Sequence, residues 1–415
     1  MINTATKEVG ESFQEKGDTA FRKGDLEMAA AFYKQALEIN SDDAWAEYSL
    51  AEVYKRQGNF KSAAYHYTNS LKLEPFGNSP FIQLLFTRVK PEQLDPIAAF
   101  YQQLTISKPD NPWASVRLGD ILTKQRKVEE AIAAYKAASK KLLKNKYPNY
   151  VSDRLADTHP AEPTYIIIGP MKTATSALYE YINQHPKVLP SIKKEIHFFS
   201  DPYRLAYGKD WYLAHFPPTN PESGYITGEA SPGYIVNHVH NTVANLFPKV
   251  KIIALVRNPV DRAFSHYTHN CKHGFERRSF IEAVTAELEI LEGITNNTSL
   301  DRIAKTWDWN SHPGYVLLGL YAHFLQQWYT AFPSEQILII SNNALSARPA
   351  EIMQQVFSFL NLANHNESSY PQHNASSYDS KTIDAKLKER LTAFYNPYER
   401  RLEDFLASGE KLFLA

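Results

Sequence analysis

Residues 164–182 read TYIIIGPMKTATSALYEYI. Tyr165 to Ile168 form a short, β-branched apolar run, the pattern of a parallel strand buried on both faces. Gly169 and Pro170 end it, and Lys172, Thr173, Thr175 and Ser176 open a helix that carries Leu178, Tyr179 and Ile182. A helix N-terminus directs unpaired N–H groups and the positive end of its dipole at whatever sits there. One lysine and three hydroxyls in that turn suit a phosphate or sulfate group. The turn is not a Walker A loop, because Lys172 follows Gly169 by three residues and no second glycine precedes it. Nor is it the G-x-G-x-x-G of a dinucleotide fold. Taken singly, it also reads as an ordinary strand–helix turn with a surface lysine.

A second stretch, KIIALVRNPVDRAFSHY at 251–267, strengthens the anion reading. Lys251 to Val256 form another buried strand, followed at once by Arg257, then Pro259, Arg262 and Ser265. An arginine at the C-terminal end of a parallel strand lies on the edge where open α/β sheets bind ligands. Its planar fork pairs bidentately with phosphate. Ser265, eight residues after Arg257 on the expected helix, can add a hydroxyl to the same anion.

Together these segments resemble the nucleotide-sulfotransferase family, whose donor is 3′-phosphoadenosine 5′-phosphosulfate. GPMKTATSAL is similar to its 5′-phosphosulfate loop, and VRNPVDRAFSHY to its 3′-phosphate motif, R-x-P-x-x-R-x-x-S-x-Y. KKEIHFF at 193–199 and GEASPGYI at 228–235 resemble segments of the heparan-sulfate branch. The resemblance implies a P-loop-like α/β sulfotransferase domain with a central parallel sheet at 163–407. It implies Lys172 on the oxygen bridging phosphate and sulfate, and Thr173, Ala174, Thr175 and Ser176 as donors to the 5′-phosphate. It implies Arg257 and Ser265 on the 3′-phosphate and Glu195 as general base, with His197 assisting. From the residues alone, Glu195 and His197 compete for the base role, since they are two apart and both can reach a cleft. No metal is expected, and the acceptor is expected to be a glycan or a small molecule bearing a hydroxyl or amine.

The chain departs from that branch twice. Where the branch carries E-K-x-P, the lysine position is Ala230. Where it has a basic, glycine-containing loop over the 3′-phosphate, this chain has HNASSYDSK at 373–381, in which Ser376, Ser377, Tyr378 or Lys381 are the possible substitutes.

Residues 8–147 carry a different pattern. Tyr33, Tyr67, Tyr101 and Tyr135 recur at a spacing of 34, with Ala29, Ala63 and Ala131 in step and Ile97 as the exception. Trp45 and Trp113 share a slot, and Gly17 and Gly119 fall where two helices of a repeat would touch. This resembles the tetratricopeptide repeat, in about four copies. The third copy, with Pro91 and Pro96 in its middle, is expected to be degenerate. Such arrays present a groove to a protein or peptide partner; docking onto the second domain is an equal alternative. The expected fold class is α + α/β, a helical solenoid followed by the α/β domain.

The 415 residues exceed one ordinary core, and a formal net charge of zero gives no global steering toward nucleic acid. Cys271 is the single cysteine, which excludes an internal disulfide, and it is expected to pack as a small hydrophobe. His266, His269 and His273 around it read as helix-surface histidines rather than a metal set. The rings of Tyr203, Tyr207, Trp211, Tyr212, Tyr234, Trp307 and Trp309 suit sugar faces but also an ordinary core or cleft wall. YVLLGLYAHFLQQWYTAF at 315–332 reads as one helix, EQILII at 335–340 as a strand, and Phe275 to Ser311 as a substrate-facing insertion or lid. With no stretch approaching 18 apolar residues, a cytoplasmic protein without a membrane span is expected. Two other functions fit parts of the pattern: a P-loop phosphotransferase, and a repeat scaffold with an inactive transferase domain.

Overall fold

The computed structural model describes residues 4–147, 150, 159–219, 223–236, 238–293, 297–309, 311–365, 369–371, 383–407 and 412–413. The chain divides into two compact units, Met1–Asn149 and Tyr150–Ala415.

The first unit is a run of helices: α1 (Thr4–Lys23), α2 (Leu26–Ile39), α3 (Ala44–Arg56), α4 (Phe60–Leu73), α5 (Asn78–Phe86), α6 (Asp95–Ser107), α7 (Pro112–Lys124) and α8 (Val128–Lys146). Side chains of Asp25, Asp43, Asn59 and Asn111 accept from the first turns of α2, α3, α4 and α7. Each such cap stabilises its helix by about 1 kcal/mol. Helix α1 packs on α2, α3 on α4 and α7 on α8.

The four tyrosines in register are all buried. Tyr33 and Tyr135 donate to Asp18 and Asp120, each 15 residues earlier, at 2.6 and 2.7 Å, and Tyr67 donates to Glu52 at the same offset. The carboxylate follows the small residue of each repeat. A Cβ on Gly17 would fall 2.5 Å from the Tyr33 ring, and one on Gly119 2.4 Å from the Tyr135 ring. The third repeat breaks the rule. Phe86 stands in the acid slot and is exposed, and Tyr101 donates instead to the Pro75 carbonyl at 2.8 Å. Its first helix is cut to nine residues, and the Pro91–Leu94 stretch forms a 3₁₀ turn.

The second unit is built on a parallel sheet of β1 (Tyr165–Ile168), β2 (Gly228–Ala230), β3 (Lys251–Val256), β4 (Ile337–Ser341) and β5 (Leu412–Phe413), in the order β2–β1–β3–β4–β5. The apolar runs of β1 and β3 are buried on both faces, as a parallel sheet covered by helices requires. From β1 the chain goes to β2 on one side, then returns to β3 on the other. The C-terminal ends of β1 and β3 therefore flank a topological switch point, where such sheets bind ligands. Helices α9 (Thr175–Ile182) and α10 (Pro259–Lys272) start there. Helices α11 (Phe280–Glu292), α12 (Tyr321–Ala331), α13 (Pro349–Phe359) and α14 (Ala385–Ala407) follow.

Two expectations change. The helix read at 315–332 starts only at Tyr321. Before it, the buried Glu287 carboxylate takes the N–H groups of Gly314, Tyr315 and Val316, and Gly314 is left-handed at φ 80°. Those N–H groups therefore face a side chain across the fold. Nor is 275–311 simply a lid, because α11 buries Phe280, Ala283, Val284, Leu288 and Leu291. Among the described residues no helix is long and apolar enough to cross a membrane.

Candidate active site

The turn after β1 is shaped by its backbone. Gly169 has φ 151°, and a Cβ there would lie 3.0 Å from Thr173 Oγ1 and 3.1 Å from the Leu255 carbonyl. Thr173 is fully buried, and its hydroxyl donates to the Pro170 carbonyl at 2.8 Å. That hydrogen bond closes the turn. Lys172 and Ala174 are both left-handed, at φ 73° and 74°. Such residues within a turn are how main-chain N–H groups come to face a common anion. Thr175 then begins α9, whose first N–H groups have no intrahelical acceptor.

Arg257 follows β3, and its Nη1 donates to the Lys172 carbonyl at 3.1 Å. Asn258 caps α10 by accepting from Val260 and Asp261 N–H at 3.1 Å, and the helix carries Ser265 to the same edge. Ser265 is 1% exposed, and its Oγ has no hydrogen-bond partner among the described residues. A buried hydroxyl on a cleft wall with nothing to bond is a place a ligand oxygen satisfies.

Arg262, a motif member to which sequence reasoning gave no role, is fully buried. It donates to the carbonyls of Met171, Gly314 and Tyr315, at 3.5, 3.3 and 2.5 Å. It ties the Lys172 turn to the loop that Glu287 holds from its N–H side.

Glu195 accepts from Lys194 Nζ at 2.5 Å and stands 3.3 Å from His197 Nε2. Burial pushes its carboxyl up, but the His197 hydrogen bond and the Lys194 charge outweigh it and hold the group at about 2. Lys172 is shifted down by burial, then by the Arg257 and Lys272 charges.

These groups meet in one cleft of about 1880 Å³. Lys172, Ala174, Thr175, Ser176, Glu195, His197, Arg257 and Ser265 all line it; Thr173 does not. His266, His269 and His273 also line the cleft, with Lys272 beside them; His266 is buried rather than on the helix surface, whereas His273 is exposed as expected. They share one face of α10, and periodicity cannot say which way that face turns. His266 is pushed well down, by burial first and then by Arg262, His269 and Lys172. His269 is lowered by burial and by Lys172, His273 and Lys272. Cys271, on the outer side of the same helix, is exposed and not packed. Of the rings proposed for sugar faces, Trp309 lines the cleft, while Trp211, Tyr212 and Tyr234 are core. Ala230 is fully buried in the core with Tyr165, Ile167 and Leu178, and Lys272 is the further lysine on the cleft wall. The 373–381 stretch lies outside the described residues. Among those described, no group of three or more His, Cys, Asp or Glu is placed to hold a metal ion.

The sulfotransferase domain profile matches residues 162–394, and tetratricopeptide-repeat profiles match 17–58 and 97–141. Over 212 residues, 48% of this chain and 22% of theirs, the chain is 31% identical to the human bifunctional heparan sulfate N-deacetylase/N-sulfotransferase 2 and 32% identical to the Bos taurus protein of the same name. Human type 3 is 31% identical over 229 residues, 52% of this chain and 24% of that protein. The chain thus spans about a fifth to a quarter of the length of these curated relatives. Among solved structures, a sulfotransferase from Alicyclobacillus acidocaldarius is 28% identical with a TM-score of 0.49, covering 60% of this chain and 96% of that one.

Proposed function

The chain belongs to the sulfotransferase family, and on that premise we propose that its cleft moves a sulfuryl group from 3′-phosphoadenosine 5′-phosphosulfate to a hydroxyl or amine of a glycan. The family replaces the phosphotransferase and inactive-scaffold readings. The acceptor oxygen or nitrogen attacks sulfur in line, the bond from sulfur to the bridging oxygen breaks, and adenosine 3′,5′-bisphosphate leaves. Lys172 sits at the bridging oxygen and stabilises the charge that develops there. Main-chain N–H groups from Ala174 onward, with the Thr175 and Ser176 hydroxyls, hold the 5′-phosphate at the start of α9. Arg257 and the Ser265 hydroxyl, which has no partner among the described residues, take the 3′-phosphate. Glu195 receives the proton. With its carboxyl at about 2, it is ionised at neutral pH. So weak a base takes the proton late, once bond formation to sulfur has made the acceptor acidic. His197 orients it.

The observation that carries this reading is the bond from Arg257 to the Lys172 carbonyl, with a Ser265 hydroxyl on the same cleft that has no partner among the described residues. A glycan acceptor is supported by relatives named for heparan sulfate N-sulfation and by the Trp309 ring on the cleft wall. The tetratricopeptide repeats of the first unit are assigned a protein or peptide partner in their groove.

Calorimetry with adenosine 3′,5′-bisphosphate, 5′-AMP and ATP–magnesium tests the donor site. Bisphosphate binding alone, weakened about 10- to 100-fold in Arg257→Ala, is the expected result. Equal binding of all three nucleotides would sink the reading.

A further inference from the structure

Glu229, on the edge strand β2, is completely buried. Its Oε1 accepts from the hydroxyls of Tyr212 and Tyr234 at 2.7 and 2.9 Å. Its Oε2 accepts from Ser231 Oγ at 2.5 Å and from the Ile196 N–H at 3.3 Å. These four partners are neutral donors, and burial pushes the carboxyl up against them. A buried carboxylate is costly to desolvate, so its donor set is informative.

Two of the donors pass the contact onward. Ser231 Oγ accepts from the His197 N–H at 3.1 Å, and Tyr234 Oη accepts from the Phe198 N–H at 2.9 Å. Three consecutive main-chain N–H groups, at 196, 197 and 198, therefore end on Glu229 directly or through one hydroxyl. This segment has neither helix nor strand to hold it. On the other side of Glu195, the Lys194 carbonyl accepts from the Ala230 N–H at 2.9 Å. So anchored, His197 sits in the left-handed region at φ 55°. Ile196 and Phe198 enter the core, while Glu195 and His197 turn to the cleft.

We propose that Glu229 is the positioning residue for the Glu195–His197 pair, acting through Ser231 and Tyr234 to set the loop that carries them. It touches no substrate. The inference rests on Glu195 being the base. A carboxylate is needed because the Ile196 N–H and the Ser231 hydroxyl both require an acceptor on the same side, while two tyrosine hydroxyls require one on the other. A carboxamide offers an acceptor to one side only.

The test uses Glu229→Gln and Ser231→Ala in the full-length chain. Ser231→Ala removes the link to His197 with little loss of volume and keeps the test valid where Glu229→Gln misfolds. The expected result is a fall in kcat of about 10- to 100-fold, as small misplacements of a reacting group produce, with the bisphosphate Kd unchanged. Carbon-13 NMR of the glutamate carboxyls supplies a readout independent of turnover. As Glu195 loses its contacts with Lys194 and His197, its titration moves up from about 2 toward the ordinary 4.5. Folded variants with wild-type kcat and an unmoved Glu195 titration would overturn the proposal, as would kcat and bisphosphate affinity falling together. If the wild-type chain transfers no sulfate, the functional reading fails, and the Glu195 titration alone decides the positioning role.

Discussion

Arg257 Nη1 donates to the main-chain oxygen of Lys172 at 3.1 Å, so the cations that follow β1 and β3 are tied to each other across 85 residues of sequence. The bond fixes the turn that carries Lys172 and brings a second positive charge beside its ammonium. Both the geometry and the acidity of Lys172 depend on Arg257.

Lys172→Met should lower kcat by about 10²- to 10³-fold, the usual cost of removing one donor aimed at developing charge. Bisphosphate affinity should fall far less, because Arg257 and the α9 N-terminus remain. Single-turnover kinetics separate the two effects. Lys172→Arg should not rescue, since a planar fork cannot take the place of a compact ammonium in a left-handed turn.

The alkaline side of the pH–rate profile should report Lys172. In the proposed mechanism its ammonium is the working form, and burial, Arg257 and Lys272 lower its pKa from 10.5. Activity is therefore lost as pH rises through a value below that of an ordinary lysine. Lys272→Met removes one like charge and should move this limb to higher pH. Glu195 should give no acid limb near pH 4.5, since it stays ionised down to about 2. Its contribution to stability has the matching sign, present above 4.5 and lost as pH falls toward 2.

Ala174 adopts φ 74° without the freedom of glycine. Ala174→Gly relieves a left-handed conformation that costs an L-residue roughly 1–2 kcal/mol, and loosens the unfolded chain in return. A net gain of about 0.5–1 kcal/mol in the catalytic unit, read from its urea midpoint, is expected. A loss would mean that the Ala174 side chain makes a contact worth more than the strain.

Arg262→Met should cost the same unit about 3 kcal/mol, as expected when one partner of a buried charged network is removed. Three carbonyls lose their donor, and Glu287 loses a nearby positive charge. Chemical denaturation should show a lowered midpoint, and donor affinity should weaken with it because the Met171 end of the turn is released.

In the first unit, Gly119→Leu should destabilise the last helix pair by about 2–3 kcal/mol through overpacking against Tyr135. Gly119→Ala should cost less, about 1 kcal/mol, because its Cβ, 2.4 Å from the buried Tyr135 ring, makes that ring shift while helix propensity favours alanine. A circular-dichroism melt of the two variants distinguishes ring displacement from loss of the pair.

Much of this was legible from local pattern. Strands β1 and β3 announced themselves because a fully buried parallel strand must be continuously apolar, and the tyrosines at a spacing of 34 announced the repeats. The acid 15 residues before three of these tyrosines was equally present in the sequence, at Asp18, Glu52 and Asp120, and was missed because it pairs with the ring hydroxyl only once two helices lie side by side. The late start of α12 had no local signal, since its cause is the distant Glu287 carboxylate.

The sequence by itself determined where the proposed anion-binding turns are, because strand end, glycine, lysine and helix start act within a few residues of one another. Only the tertiary structure decided that Lys172 and Arg257 are tied together, that the histidine face of α10 turns to the cleft while Cys271 turns away, and that Glu229 lies beneath the loop of Glu195. Those outcomes depend on which surfaces the sheet and its helices bury against each other. Burial is settled by all the packing partners at once, whereas periodicity describes one element at a time.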